Sequence, residues 1–197
     1  MQPSSHQPST LNHPLRLTIR PIEPADWPVV DRIQRAAFDA SVIEKLAVFE
    51  SFAALSPTTC LLATAGERAL GYLLAHPWIP DDLPPLNTVL DRLPENAGSL
   101  FIHDLALNPD ARGQRVGRAL VKTAFAAGKK LRLTSASLLA VQASGTFWQH
   151  QGFLPRPDLT PHIEKTVRAF TAMEFLFMSR PDLTTTEPAE HSYPQLP

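Results

Sequence analysis

The chain has 197 residues, of which 44% are hydrophobic and 19% charged, and this composition is ordinary for one globular domain. The net charge of −1, from 18 basic and 19 acidic residues, lacks the positive excess that is typical of nucleic-acid-binding proteins. There is no apolar run of about 18 residues, no signal peptide and only one cysteine, so we expect a cytoplasmic protein with no membrane partner, disulfide or cysteine-bound zinc.

The two ends of the chain differ from its middle. Residues 1–13 carry no Asp, Glu, Lys or Arg and few apolar side chains, which predicts a disordered leader. Residues 181–197 are rich in proline and threonine without any periodicity, which predicts a disordered tail. We therefore expect the folded domain at 14–180.

The first half predicts one strand, two helices and a hairpin. Alternating apolar residues indicate a strand at 15–21, and helical spacing follows through Phe38, with Asp26 as the expected N-cap. A second helix is predicted at 42–55. Strands at 59–65 and 69–76 are separated by only three residues, which indicates a hairpin.

The second half begins with a connection, 77–99, that contains five prolines and one predicted short helix at 85–93. Such long connections often bind ligands. The elements that follow are a strand at 100–107, a helix to about Ala127, a strand at 131–141, a short helix at 144–151 ended by Gly152, and a strand at 171–179. This order predicts a single α/β domain whose central sheet, of about six or seven strands, is mixed and largely antiparallel with flanking helices.

The segment 108–120 contains two glycines and three arginines between a strand and a helix. Backbone N–H groups at a helix N-terminus favour an anion, and glycine lets a ligand approach the backbone closely. The segment therefore predicts a phosphate or diphosphate site, although an ordinary turn with surface arginines fits the pattern equally well. The Walker and Rossmann glycine patterns are absent.

This segment resembles the acetyl-CoA-binding motif of the GCN5-related N-acetyltransferase (GNAT) superfamily, Gln/Arg-x-x-Gly-x-Gly/Ala. Arg112 takes the first position and Gly117 the last, while Arg115 stands where the first glycine is usual. We expect this departure to matter little if the φ of Arg115 is helical. The stretch HDLALNPDARG is similar to the family's fourth strand, and FWQHQGF (147–153) to its aromatic–x-x-x–Gly-Phe element.

The resemblance implies the GNAT fold, acetyl-CoA as co-substrate without a metal, and direct transfer of an acetyl group to a primary amine. The pantetheine arm would lie between parted fourth and fifth strands, here 100–107 and 137–141, and the N–H of Leu105 would bind the oxyanion. The implied cofactor-binding residues are Leu105, Ala106, Leu107, Arg112, Gly113, Gln114, Arg115, Val116, Gly117, Arg118, Ala119, Ser144 and Trp148.

His103 is the candidate general base, because the pKa of a histidine lies near neutrality. Strand alternation predicts that it shares a face with Leu105 and Leu107, with Asp104 on the opposite face in a structural role. A core histidine with a satisfied hydrogen bond is the competing interpretation. Trp148 stands where many relatives have a tyrosine acid, so we name no general acid.

The acceptor stays open between small-molecule and peptide amines, and so does a homodimer. Four carboxylates fit either a cationic acceptor or an ordinary surface: Glu44, Glu50, Asp81 and Asp82. The main alternative function is a non-catalytic acyl-CoA-binding sensor or regulatory module. A site for another nucleotide is a third interpretation, disfavoured because the turn has no Ser or Thr to bind magnesium.

Overall fold

The computed structural model describes residues 16–171 and 174–183. The predicted leader, 1–13, and the part of the predicted tail from residue 184 onward lie outside the described residues. At the described end of the chain, Leu183 is 1% exposed and its N–H donates to the carbonyl of Thr134. Packing therefore continues up to Leu183.

The centre of the molecule is a seven-stranded sheet in the order β1-β2-β3-β4-β5-β7-β6. Its one parallel pair is β4–β5, and the other neighbours are antiparallel. The predicted α/β domain with a largely antiparallel sheet is thus confirmed. The strands are β1 Leu17–Pro21, β2 Leu61–Ala65, β3 Arg68–Trp78, β4 Ser99–Leu107, β5 Ser135–Val141, β6 Leu154–Pro155 and β7 Phe175–Arg180.

Five helices flank this sheet within the described ranges, and none of them is long and apolar enough to cross a bilayer. Burial of their apolar sides against the sheet is the main source of their stability. The helices are α1 Trp27–Ala37, α2 Leu46–Leu55, α3 Val116–Lys130, α4 Gly145–Gln149 and α5 Thr160–Phe170.

Each group of helices covers its own part of the sheet. From α1 and α2, Ile33 and Phe52 pack with Tyr72 of β3 in one core cluster. From α3, Leu120 packs in a second cluster with residues of β3, β4 and β5. The α5 residue Val167 belongs to a third cluster that includes β4 and β7 side chains. The β4 strand contributes to all three clusters and is therefore fixed from both sides.

The connection between β3 and β4 has no helix at 85–93, so that prediction was wrong. Asn87 has a φ of +50°, which a right-handed helix does not permit. Its N–H donates to Glu44 Oε2, and the N–H of Leu90 donates to Ser51 Oγ. Side chains of the α1–α2 region thus bind these two N–H groups and hold the connection in a non-helical path.

Other predicted boundaries also needed correction. Asp26 does not cap α1, because its carboxylate binds the Arg20 guanidinium at 2.6 and 2.9 Å and the N–H of Glu23. The strand predicted at 131–141 begins at Ser135, since Leu131 ends α3 and Arg132 has a φ of +62°. Helix α5 and the short β6 were missed, and the last strand begins at Phe175 rather than at 171.

Candidate active site

Strands β4 and β5 are paired over only part of their length. Their parallel register joins Ser99 through Ile102 to Ser135 through Leu138. Beyond these residues the structure pairs neither strand with the other, although β4 continues to Leu107 and β5 to Val141. The expected parting of these two strands is thus confirmed.

A β-bulge in β4 lies at the point where the two strands part. Leu74 of β3 is opposite Asp104, but the next residue, Ala75, is opposite Ile102, so His103 is an extra residue. A bulge of this kind breaks the alternation of side chains. His103 and Asp104 both point toward α1 and α2, where His103 contacts Phe52 and Asp104 binds Tyr72.

Leu105 and Leu107 instead pack against the α3 side of the core. The prediction that His103 shares a face with these two leucines was therefore wrong. The prediction that Asp104 lies on the opposite face from His103 was wrong for the same reason.

The His103 side chain is almost completely enclosed, with 1% of its area exposed. Its ring centre lies 4.4 Å from that of Phe52 and 6.0 Å from that of His76. Nε2 is 2.7 Å from Glu44 Oε1. The other nitrogen, Nδ1, is buried and has no hydrogen-bond partner in the part of the chain that the structure describes.

Both the backbone and the side chain of Glu44 make hydrogen bonds that fix its position. The Gln34 amide accepts from the N–H of Glu44 at 2.7 Å and donates to its carbonyl at 3.2 Å. The carboxylate is 9% exposed and binds His103 through Oε1 and the N–H of Asn87 through Oε2, at 2.6 Å. Glu44 is thus a buried site residue, and the interpretation of it as a surface carboxylate was wrong.

Burial and pairing have opposite effects on this pair. Burial alone raises the pKa of Glu44, but the charge and hydrogen bond of His103 outweigh it and the pKa is lowered. Burial alone lowers the pKa of His103, but the Glu44 carboxylate outweighs it and the pKa is raised. The two groups therefore favour a buried imidazolium–carboxylate pair.

Asp104 has a different environment although it is the next residue. Burial raises its pKa to about 7, Glu44 adds to this, and the Tyr72 hydroxyl and His103 oppose it. The Tyr72 hydroxyl donates to Oδ2 at 2.7 Å. The N–H of Leu105, the expected oxyanion donor, also lowers the pKa of Asp104 and so lies close to its carboxylate.

The turn that precedes α3 contains two left-handed residues, Gly113 with φ +76° and Arg115 with φ +62°. The condition under which the departure at Arg115 would matter little, a helical φ, is not met: the position has the conformation that favours the family's usual glycine. Arg115 is the N-cap of α3, so the N–H groups of Val116 and Gly117 begin the helix.

A cavity of about 630 Å³ connects these features. At its α3 end it is lined by Arg112, Gly117, Ser144, Phe147 and Trp148. Its middle is lined by residues of the β4–β5 gap, including 105–107 of β4. At its other end it reaches Glu44, which the sequence offered as one of four possible carboxylates for a cationic acceptor. It also reaches four residues there that the sequence did not single out: Ala37, Phe38, Val42 and Leu86.

The structure separates the predicted site residues into two groups. Those that line the cavity are His103, Leu105, Ala106, Leu107, Arg112, Gly117, Ser144 and Trp148. The others belong to the turn and first part of α3 and do not line it: Gly113, Gln114, Arg115, Val116, Arg118 and Ala119. The Val116 side chain is instead 3% exposed and part of the core.

Helix α4 closes the α3 end of the cavity with aromatic rings. Trp148 is 6% exposed and packs edge-on against Phe147 and Phe153. Phe147 also covers Gly117, where an added Cβ would lie 3.4 Å from its ring. Gly152, with φ +84°, turns the chain so that Phe153 is fully buried. An indole therefore occupies the position where a tyrosine acid was considered.

Comparisons with known proteins agree with this geometry. A family model described as the acetyltransferase (GNAT) family matches residues 22–153. No curated protein matches the chain. Many solved structures share the fold, among them the ribosomal-protein-S18-alanine N-acetyltransferase from Escherichia coli, with a TM-score of 0.56, 15% identity, and coverage of 87% of this chain and 97% of that one.

Two further structures contain coenzyme A or an analogue of it. PaiA N-acetyltransferase from Thermoplasma acidophilum, in complex with coenzyme A, has a TM-score of 0.57 at 14% identity and covers 84% of this chain and 99% of its own. Arabidopsis thaliana Naa50, in complex with the bisubstrate analogue CoA-Ac-MVNAL, has a TM-score of 0.60 at 13% identity and covers 83% and 97%.

Proposed function

Because this chain belongs to the acetyltransferase (GNAT) family, we propose that it transfers an acetyl group from acetyl-CoA to a primary amine. The observation that carries the proposal is the course of the cavity, which runs from the start of α3 through the β4–β5 gap to the Glu44–His103 pair. One cavity would thus contain the cofactor-binding end, the gap for the pantetheine arm and the proton-accepting pair.

The residues at the α3 end suit the diphosphate of coenzyme A. N–H groups at the start of α3 and the Arg112 guanidinium favour an anion there. Gly117 has no side chain to stand between the helix and a ligand. We assign diphosphate binding to the backbone of 113–119, and further contacts to Ser144 and Trp148.

The β4–β5 gap suits an amide-containing chain. Buried backbone groups without a partner cost about 1–3 kcal/mol each. The amides of pantetheine can satisfy the groups of Leu105 and Leu107 that β5 does not reach, whereas the backbone of Ala106 pairs with Tyr72 of β3. The thioester would then lie next to the bulge, where the N–H of Leu105 is our proposed donor to the oxyanion.

The reaction requires the acceptor to lose a proton. As its nitrogen attacks the carbonyl carbon, a C–N bond forms and the C–S bond breaks; the sulfur leaves as a thiolate that takes up a proton. We assign the proton from nitrogen to the Glu44–His103 pair, with His103 as the base. The ring is 1% exposed, so the Glu44 carboxylate, which lines the cavity, is the group that passes the proton to it.

A non-catalytic acyl-CoA-binding module is the second candidate. It is favoured by Trp148, which offers no acid next to the expected position of the sulfur. Calorimetry with acetyl-CoA, CoA and ATP tests the ligand, and thiol release with a panel of amines tests catalysis. We expect binding of acetyl-CoA and CoA but not ATP, and thiol release that depends on the amine. Binding without any thiol release would favour the module, and no binding of acetyl-CoA would refute both candidates.

A further inference from the structure

The end of the cavity beyond the β4–β5 gap has its own chemical character. We call it the acceptor chamber, and its walls are Ala37, Phe38, Val42, Glu44, Leu86 and Phe101. Apart from Glu44 these side chains are apolar. On the proposed function, the cofactor fills the α3 end and the gap, so the chamber is the space that remains for the amine.

The charges of the chamber suit a cation and oppose an anion. Glu44 is a wall residue, and Asp104 also lines the cavity. Among the described residues that line the cavity, Arg112 is the one Lys or Arg, and it lies at the opposite, α3 end. A second anion in the chamber would have no Lys or Arg partner among these residues, and His103 is already paired with Glu44, so burying that anion is strongly unfavourable.

The wall also contains an unfilled hydrogen-bonding position. His103 Nδ1 is buried and unpartnered within the described ranges, although Nε2 of the same ring binds Glu44 at 2.7 Å. Buried polar atoms nearly always have a partner in folded proteins. His103 Nδ1 is therefore a hydrogen-bonding atom at this end of the cavity that Glu44 does not bind.

The chamber is bordered by packed segments on two sides. Asn87, in the β3–β4 connection, accepts from the N–H of Lys45 at 3.3 Å and donates its own N–H to Glu44. These bonds tie the β3–β4 connection to the start of α2. On the other side, Val167 of α5 packs in one cluster with Phe101. The size of the whole cavity is that of a small-molecule site.

We propose that the acceptor is a small primary amine whose remaining part is apolar and uncharged. Its nitrogen would lie at the Glu44 carboxylate and its apolar part against Phe38, Val42 and Leu86. The inference rests on the proposed function and narrows it: amino acids with a free carboxylate and extended peptides are excluded as good acceptors.

Matched acceptors test this substrate class. 2-Phenylethylamine, phenylalaninamide and phenylalanine share one ring; the amide adds bulk without charge, and the acid adds a carboxylate. We expect kcat/KM, expressed per unprotonated amine, to be at least about 100-fold higher for 2-phenylethylamine than for phenylalanine, with phenylalaninamide close to the former. A tripeptide that begins with phenylalanine should be as poor as phenylalanine. Equal or better use of phenylalanine or the tripeptide would overturn the inference.

A positive charge introduced into the chamber wall tests whether the acceptor binds there. Leu86→Arg should lower the preference for 2-phenylethylamine over phenylalanine by about tenfold, because it supplies a partner for the carboxylate. Val89→Arg is the matched control: it lies in the same connection, is 51% exposed and does not line the cavity. An unchanged preference in Leu86→Arg, in a variant that keeps its acetyl-CoA affinity, would count against the chamber as the acceptor site.

A wrong function and a wrong substrate class would give different experimental results. If acetyl-CoA binds but none of the amines releases thiol, the proposed acetyltransferase function is wrong. If the amines react and phenylalanine reacts as well as 2-phenylethylamine, the function stands and the substrate class alone is wrong.

Discussion

The two ends of the cavity are built in different ways. At the α3 end, the proposed diphosphate site comes from one continuous segment, 108–120, which offers backbone N–H groups at the start of a helix, while α4 adds side chains to the wall. The acceptor chamber comes from side chains of α1, the α1–α2 connection, the β3–β4 connection and β4. A site made of backbone leaves a local pattern in the sequence, whereas side chains that converge from distant segments leave none.

The largest effect is expected at the backbone-built end. Gly117→Asp places a carboxylate where the diphosphate should bind, and we expect the affinity for acetyl-CoA to fall at least about 100-fold. Calorimetry measures it directly. The mutation should leave the acceptor chamber intact, since Gly117 lies at the opposite end of the cavity.

Gly117→Ala is the control for this variant. An added Cβ would lie 3.4 Å from Phe147 and 3.5 Å from Leu107, which is close to ordinary van der Waals contact. We expect Gly117→Ala to fold and to lose less than about tenfold in affinity. Unchanged affinity in Gly117→Asp would show that the diphosphate does not bind at the start of α3.

The sequence predicted the fold because the fold depends on local periodicity, and it located the turn before α3 because that turn is one contiguous motif. Diphosphate binding at this turn stays a prediction. The sequence did not predict the β4 bulge, because the extra residue, His103, is defined only by the register with β3. The bulge moved Asp104 to the side of His103 and separated both from Leu105. The sequence named Glu44 only as one of four possible acceptor carboxylates for a similar reason: its burial depends on Gln34, Asn87 and His103, and no spacing in the chain connects them.

At the side-chain-built end, the carboxyl group of Asp104 should make stability depend on pH. Its folded-state pKa, about 7, is above its ordinary value of 3.8, so the folded protein holds the proton more tightly than the unfolded one. This contribution favours folding at low pH and is lost as the pH rises through 7. Asp104→Asn removes the charge, and its stability relative to wild type should increase by on the order of 2 kcal/mol between pH 5 and pH 8.

Urea denaturation at the two pH values measures this difference. Asp91→Asn, at an exposed position in the β3–β4 connection, is the matched control and should show no change with pH. If the relative stability of Asp104→Asn were the same at both pH values, Asp104 would not be the buried acid that the structure indicates.

The Glu44–His103 pair should determine how the rate depends on pH. Because Glu44 raises the pKa of His103, the rise in kcat/KM on the acid side should lie above pH 6.5. In Glu44→Gln the charge is lost, the pKa of His103 falls, and this rise should move to lower pH. The plateau should fall by at least about tenfold, because the carboxylate that passes the proton to His103 and pairs with the imidazolium is lost.

Steady-state rates from pH 5.5 to 9.5 measure both effects. Glu50→Gln, on the exposed side of α2, is the control and should keep the wild-type profile. A profile in Glu44→Gln that kept its wild-type position would exclude the pair as the proton acceptor, whatever the loss in rate.

The smallest effect is expected from substitutions of Arg115, in the turn before α3. Arg115 has a φ of +62°, a conformation that costs a non-glycine residue about 1 kcal/mol. Arg115→Gly should therefore stabilise the protein by about 0.5–1 kcal/mol in urea denaturation. Arg115→Ala removes the same charge but keeps the left-handed strain, so it should show no gain in stability.

The same two variants test how the α3 end binds the cofactor. If this end binds through its backbone, both variants should keep acetyl-CoA affinity within about threefold, because an exposed arginine at this position adds little to the backbone N–H groups. An equal and large loss of affinity in both would instead make the Arg115 side chain a principal cofactor ligand, and the α3 end would then resemble the acceptor chamber in its construction.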